Sequence, residues 1–283
     1  MSENQLVQKG LRELPKDPRD FQLGTIFSLP KLEELPEEFE LEPLGIKNQN
    51  DTDFCTAMAT CGMSELQEEA ELEPAYSFAL GKMISGDPEE WGQDLRKAMQ
   101  AHIKYGAIRK KDSPFSLENK DSDFLRRIEN WPADLLEKAK PYKKQSFFSV
   151  SGPYDAFDNI RAAIWKFKDL KRAVGIGVEW SWDLREPIIP NLERSGSGHM
   201  IYVIGWKRLN GETKLVIQNS YGEEAGDNGK HYFPREIINN AVGRYGSMMF
   251  VDLPKEQAKF LVENGLSSFW LWFAKILSFL KII

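Results

Sequence analysis

The sequence predicts an α+β fold in which a helical half precedes a strand-rich half. From Cys55 to Tyr142, apolar residues recur at helical spacing, whereas beyond Phe147 the period of two that is typical of strands takes over. A chain of 283 residues, 41% of them hydrophobic, can bury one large core or the cores of two lobes.

The first 34 residues are polar and punctuated by prolines. Asp17-Pro18 and Leu29-Pro30 favour extended or turn conformations over helix. Two interpretations are open for this segment: an arm packed on the domain, or a short inhibitory leader lying across a cleft. We expect the packed arm.

The helical half contains two well-marked helices. Residues 92–105 form an amphipathic pattern that stops at Gly106, and Pro132 occupies the first turn of a second helix. His102 lies in the first of these without an acid or cysteine at a ligand spacing, so we interpret it as a packed or surface histidine.

In the second half, strands are predicted over residues 173–180, 199–206, 214–219 and 247–253, with one helix over about 154–167. The proline-rich loop over residues 183–197 is either a lid over a substrate or an ordinary connection, and both interpretations remain open. His231 follows Gly229 and Lys230 on a predicted strand, and we interpret it as structural.

A cysteine stands where a polar, turn-forming loop over residues 47–54 gives way to a helical pattern. At a helix N-terminus the unpaired N–H groups and the helix dipole favour the thiolate of Cys55. Gln49, shortly before it, can donate a hydrogen bond to an oxyanion formed by attack of that thiolate. Far downstream, His199 opens one predicted strand and Asn219 closes another. Cys, His and Asn in this order form a candidate catalytic set.

With these residues the chain resembles the papain-like cysteine peptidases. Residues 35–39 (LPEEF) are similar to the start of the family's mature domain, and Gln49 with Cys55 has the family's spacing. Residues 219–222 (NSYG) are similar to its Asn-Ser-Trp-Gly stretch, and 226–229 (GDNG) to the glycine-rich continuation. Residues 14–21 and the Cys-Thr-Ala at 55–57 resemble the bacterial and viral branch.

The resemblance implies a papain-like catalytic domain over residues 35–253, with a helical lobe over about 50–145 and a β-rich lobe over about 146–253. The cleft lies between them, with Cys55 on the helical wall and His199 on the strand wall. The resemblance also implies a thiol-dependent peptidase that works through an acyl-enzyme without a metal or other cofactor, on a protein or peptide substrate.

In that chemistry Cys55 attacks a carbonyl as the thiolate, and His199 protonates the leaving amine. Asn219 accepts the other ring N–H of His199, while Gln49 and the backbone N–H of Cys55 form the oxyanion hole. The residues expected to border the substrate are Met200, Tyr221, Trp91 and Gly92. Tyr221 stands where the family has a shielding tryptophan, and Met200 makes the specificity pocket shallow.

Two other classes of function remain open. The first alternative to the peptidase is a catalytically weak papain-like protein that serves as a binding or virion component. The second is an amidase or acyltransferase with the same triad. Asp51 and Asp53 favour the inactive alternative, because anions beside Cys55 raise the pKa of the thiol unless they point to solvent.

Composition limits the partners and the compartment. A net charge of −6 argues against nucleic acid. The two cysteines lie on different faces of one helix, so we expect no disulfide. The polar N-terminus shows no signal peptide, which predicts a reducing, cytoplasmic compartment.

The last segment, residues 254–283, lies beyond the family pattern. From Leu266 to Ile283 it is rich in aromatic and aliphatic residues, with lysines and serines on one narrow stripe. We expect an interfacial helix that binds a membrane surface or an apolar groove of a partner. The alternative is that it folds back onto the domain.

Overall fold

The computed structural model describes residues 10–15, 17–191 and 196–252. The helices in these ranges are α1 (Leu23–Ile26), α2 (Cys55–Glu68), α3 (Pro74–Ser85), α4 (Leu95–Lys104), α5 (Ser122–Leu125), α6 (Leu135–Ala139), α7 (Ala156–Lys166) and α8 (Arg235–Tyr245). The strands are β1 (Phe39–Glu40), β2 (Phe147–Ser149), β3 (Val174–Trp180), β4 (Ser197–Leu209), β5 (Glu212–Gln218), β6 (Lys230–Phe233) and β7 (Ser247–Phe250).

The helical half begins where the sequence predicts, with Cys55 as the first residue of α2. The helix predicted over residues 92–105 starts three positions later, because the Asp94 side chain accepts the Lys97 N–H at 2.9 Å and so caps α4. Gly92 therefore lies in the preceding loop. The chain leaves α4 through Gly106, whose φ of +90° is a conformation that glycine adopts without strain.

The second half is one antiparallel sheet in the order β2-β7-β3-β4-β5-β6, with β1 paired to β4. Strand β4 extends beyond its predicted ends, since it runs over Ser197–Leu209. Helix α8 was missing from our prediction and lies between β6 and β7. It begins after Pro234 and buries Ile237, Ile238 and Tyr245. The predicted α+β fold with a helical and a strand-rich half is confirmed.

Helix α2 packs directly on β4, which places the start of the helix beside the middle of the sheet. Gly62 makes this approach possible, because a Cβ at that position would overlap the ring of Tyr202 on β4. Six residues after Cys55 in the same helix, Cys61 is fully buried and its sulfur lies 4.0 Å from Nε2 of His102. The other ring nitrogen of His102 lies 3.1 Å from the Ser64 hydroxyl, so His102 is a packed histidine, as predicted.

The segment before the domain packs on it at residues 20 and 27, among others. Arg96 on α4 donates to both carboxylate oxygens of Asp20, at 2.9 and 2.5 Å. Phe27 lies edge-on to Phe148 of β2 and to Phe167, with centroid distances of 5.9 and 5.2 Å.

The predicted interfacial helix lies outside the described residues. Within the described ranges, each helix is too short or too polar to cross a bilayer.

Candidate active site

Cys55 is fully buried at the N-terminus of α2. The pKa of its thiol is raised to about 11, chiefly by burial and in smaller part by the charge of Asp53. Backbone hydrogen bonds from Met200, Gly10 and Thr56 act in the opposite direction, because N–H donors stabilise a thiolate. The thiol is therefore the stable form at neutral pH while the site stays covered.

His199 lies on β4, directly before the residue whose backbone meets the Cys55 sulfur. Its Nε2 is 2.8 Å from Oδ1 of Asn219, which follows the end of β5. The ring of Tyr221 stacks on the imidazole with a centroid distance of 5.0 Å and an interplanar angle of 27°. The structure thus brings together the predicted histidine, asparagine and covering aromatic residue on the strand wall.

Gln49 joins the two walls at one end of the site. Its side-chain oxygen accepts the Ser220 hydroxyl at 2.7 Å, and its backbone N–H donates to the Ser220 carbonyl at 2.9 Å. Its amide nitrogen donates to the Thr52 carbonyl at 2.8 Å. A primary amide carries a second N–H, which is the donor that an oxyanion hole would use.

Met200 and Tyr221 border the site from the strand side. Met200 is fully buried and its side chain packs over Gly175 of β3, where a Cβ would overlap the methionine methyl group. Burial raises the pKa of Tyr221, so its hydroxyl stays protonated at neutral pH.

Trp91 and Gly92 form the opposite border, in the loop before α4. Gly92 has φ of +73°, and a Cβ there would also overlap the Gly10 carbonyl, so both the conformation and the close approach require glycine. Its N–H donates to Oδ2 of Asp53 at 2.6 Å, and its carbonyl accepts from Lys82 at 2.7 Å. Trp91 is 41% exposed.

A buried lysine binds the backbone carbonyls of the loop before α4. Lys82 of α3 is fully buried, and its ammonium donates to the carbonyls of Asp87, Glu90 and Gly92 at 3.2, 2.5 and 2.7 Å. Burial lowers the pKa of Lys82, whereas the nearby Asp87 raises it. The sequence analysis missed Lys82, although a lysine at the end of the apolar run of α3 was a visible signal.

Asp53 is fully buried and does not point to solvent, where its charge would have had little effect on the pKa of the Cys55 thiol. Its Oδ1 pairs with Arg126 at 3.1 Å, while Oδ2 accepts the Gly92 N–H. Asp51, by contrast, is exposed. Asp53 therefore both raises the pKa of Cys55 and fixes the border loop.

The segment from Gly10 to Arg12 lies between the two walls. Leu11 donates its N–H to the Gly198 carbonyl at 2.9 Å, and Arg12 donates to the Gln93 carbonyl at 3.0 Å. Gln93 in turn donates to the Gly10 carbonyl at 2.7 Å. The rest of the arm packs on the domain, but residues 10–12 cross the cleft and cover the Cys55 thiol.

His231 of β6 contacts the asparagine of the site. Its Nδ1 lies 3.4 Å from Nδ2 of Asn219, and its Nε2 lies 3.0 Å from the Leu184 carbonyl. The described part of the loop that starts at Asp183 follows β6, where Ile189 donates to the Tyr232 carbonyl at 3.0 Å.

No group of three or more His, Cys, Asp or Glu side chains within residues 10–15, 17–191 and 196–252 is arranged to hold a metal ion.

Comparisons with known proteins give the family. The family model described as papain family cysteine protease matches residues 38–249. The viral cathepsin of Choristoneura fumiferana defective polyhedrosis virus is 24% identical over 221 residues, which are 74% of this chain and 61% of the length of that relative.

Two solved structures share the fold. Xylellain, a cysteine protease from Xylella fastidiosa, superposes with a TM-score of 0.71 at 19% identity, over 89% of this chain and 99% of that one. Digestive procathepsin L 3 of Tenebrio molitor gives 0.62 at 12% identity, over 86% of this chain and 76% of that one. The chain belongs to the papain family of cysteine proteases.

Proposed function

We propose that the chain is a thiol peptidase with Cys55 as nucleophile and His199 as proton carrier. The observation that carries the proposal is the position of the Cys55 thiol, which lies at a helix N-terminus and against the backbone of Met200. The residue before Met200 is His199, whose Nε2 lies 2.8 Å from the Asn219 side-chain oxygen. A thiol, an imidazole and an amide in this order are sufficient for nucleophilic attack and proton transfer.

In the proposed reaction His199 takes the thiol proton and Cys55 attacks the peptide carbonyl carbon. The oxyanion forms beside Gln49 and the Cys55 N–H, and losing one such donor typically costs about 3 to 4 kcal/mol in the transition state. His199 then gives the proton to the departing amine, which leaves an acyl-enzyme. Water, deprotonated by His199, attacks the acyl carbon and releases the acid and the thiol.

We propose that residues 10–12 close the cleft in the described state and must leave before a substrate binds. Three backbone hydrogen bonds join this segment to Gln93 and Gly198, and an extended peptide could form the same bonds. Departure of the segment would expose Cys55 to water, removing the largest cause of its raised pKa.

Covalent labelling with a peptidyl epoxide tests the proposal. We expect one equivalent of label on the full chain and on Cys61→Ala, and none on Cys55→Ala. Hydrolysis of an unstructured protein substrate should follow the same pattern. Labelling of Cys55→Ala, or loss of labelling in Cys61→Ala, would contradict the assignment of the nucleophile.

The catalytically weak alternative rests on a specific observation: Cys55 is fully buried close to the buried carboxylate of Asp53, and both raise the pKa of the thiol. If the chain takes up no epoxide after residues 1–15 are removed by limited proteolysis, a binding or virion component is the better conclusion. Labelling without cleavage of any peptide in a library supports an amidase or acyltransferase.

For the chain ends we propose that residues 35–253 form the catalytic unit and that residues 266–283 bind a membrane surface or a partner's groove. The sequence pattern of the tail supports this, and liposome co-sedimentation of the full chain against one ending at Lys255 tests it. Two free cysteines support a reducing compartment.

A further inference from the structure

We propose that His231 is a positioning residue, which orients the side-chain amide of Asn219 and thereby sets the tautomer of His199. The inference deepens the proposed function, since it rests on His199 being the proton carrier.

The orientation begins at the Leu184 carbonyl. That oxygen accepts the Gly226 N–H at 2.8 Å, which fixes its position, and it lies 3.0 Å from Nε2 of His231. A carbonyl oxygen can only accept, so Nε2 of His231 must carry the proton. In the neutral ring, Nδ1 is then an acceptor.

The acceptor at Nδ1 selects one of the two orientations of the Asn219 amide. Nδ1 lies 3.4 Å from Nδ2 of Asn219, and only the NH₂ group can donate to it. Oδ1 therefore faces the other way, where it lies 2.8 Å from Nε2 of His199. The Ser220 N–H donates to the same Oδ1 at 2.8 Å and supports this orientation.

An amide oxygen facing His199 makes Nε2 of that ring a donor. Nδ1 is then the nitrogen that exchanges the proton with Cys55. Through His231, Asn219 and His199, one backbone carbonyl thus determines which nitrogen of His199 carries the proton. A fixed second hydrogen-bond layer of this kind commonly orients an active-site imidazole.

The ring of His231 is held in place by its packing. It is fully buried on β6, opposite Ile217 of β5. Trp180 meets it edge-on at 4.8 Å and 87°, and meets His199 at 5.5 Å and 83°. One indole therefore restrains both imidazoles on the two sides of Asn219.

A merely structural His231 would also be buried, so the test needs a readout that packing alone does not change. The chain contains three histidines, which makes ¹⁵N spectra of the histidine-labelled full chain simple to assign by single substitutions. We expect a protonated Nε2 and a bare Nδ1 in His231, and a protonated Nε2 in His199. In His231→Leu, the Nε2 proton of His199 should exchange faster with solvent and the other tautomer should become visible.

The matched control is His102→Leu, which removes another buried histidine in the helical half and should leave the His199 signals unchanged. His231→Asn retains an acceptor near the position of Nδ1 and should restore the wild-type His199 signals. If His231→Leu does not fold, the wild-type spectrum and His231→Asn still decide.

Kinetics give the second test. Loss of one neutral hydrogen bond, with the Ser220 contact retained, should lower kcat about five- to tenfold and leave KM unchanged. In an Asn219→Ala background, His231→Leu should have no further effect on kcat, because its action passes through Asn219.

A proton on Nδ1 of His231, unchanged His199 signals in His231→Leu, or independent losses in the double variant would overturn the inference. Failure of the proposed function is distinguishable, because a chain that neither labels nor cleaves can still show the expected tautomers of His199 and His231.

Discussion

Arg12 fastens the segment that crosses the cleft, so Arg12→Ala should release the thiol. Its guanidinium donates to the carbonyls of Gly92 and Trp91 at 2.6 and 3.1 Å, and to a carboxylate oxygen of Asp87 at 2.6 Å. Charged hydrogen bonds contribute about 1.5 to 3 kcal/mol each when buried, and much less when partly exposed.

The Arg12 side chain is 32% exposed, so we assign the three contacts about 2 kcal/mol together. If the segment must open before a reagent reaches Cys55, the opening equilibrium shifts by about thirtyfold, since 1.4 kcal/mol corresponds to a factor of ten. The second-order rate constant for alkylation of Cys55 by iodoacetamide should rise by the same factor.

Arg19→Ala is the matched control, because Arg19 is 88% exposed and pairs with Asp17 inside the arm. It should leave the alkylation rate unchanged. The reasoning is refuted if Arg12→Ala alkylates at the wild-type rate while its thermal unfolding is also unchanged, because the segment would then not control access to the thiol.

Three further predictions concern buried groups. Burial raises the pKa of the Glu73 carboxyl in the folded protein to about 7, above its value in the unfolded chain. The stability that the protonated carboxyl contributes is therefore fully present below the unfolded pKa, and it is lost as pH rises through the folded pKa. Between pH 4.5 and 8, the free energy of unfolding should fall by about 3 kcal/mol more in wild type than in Glu73→Gln, measured by urea denaturation. Lys82→Met removes a buried ammonium that donates to three backbone carbonyls and should destabilise the fold by about 2 to 4 kcal/mol in the same assay, whereas Lys104→Met should have little effect. Cys61→Ala should alkylate at the wild-type rate at pH 8, because burial raises the pKa of Cys61 to about 12; a slower rate would show that Cys61 is one of the reacting thiols.

The parts of the site that the sequence predicts are those with a local signal. A polar loop running into a helical pattern indicates Cys55, and the start of one predicted strand and the end of another indicate His199 and Asn219. The structure places the histidine and the asparagine within hydrogen-bond distance, because β4 and β5 are adjacent in the sheet.

The missed parts depend on contacts between distant positions. The pairs Asp53–Arg126 and Lys82–Gly92 form only once the border loop has folded against α2 and α3, and no periodicity marks them. The segment around Gly10 has too little pattern to show that Leu11 would form an isolated bridge with Gln93. His231 looked structural because its partner, Asn219, lies across a turn.

One end of the cleft is sealed by backbone pairing between the two walls. Gln49 donates to the Ser220 carbonyl at 2.9 Å, Gly222 donates to the Lys47 carbonyl at 2.9 Å, and Asn48 pairs with Tyr221. These bonds make a pivot, because the walls cannot separate here without breaking them. An opening of the cleft that kept these bonds would be a rotation about this end, and it would widen the opposite end near Gln93 and Gly198. Such a rotation would admit a chain or release the covering segment while the oxyanion donor and Asn219 keep their mutual distance.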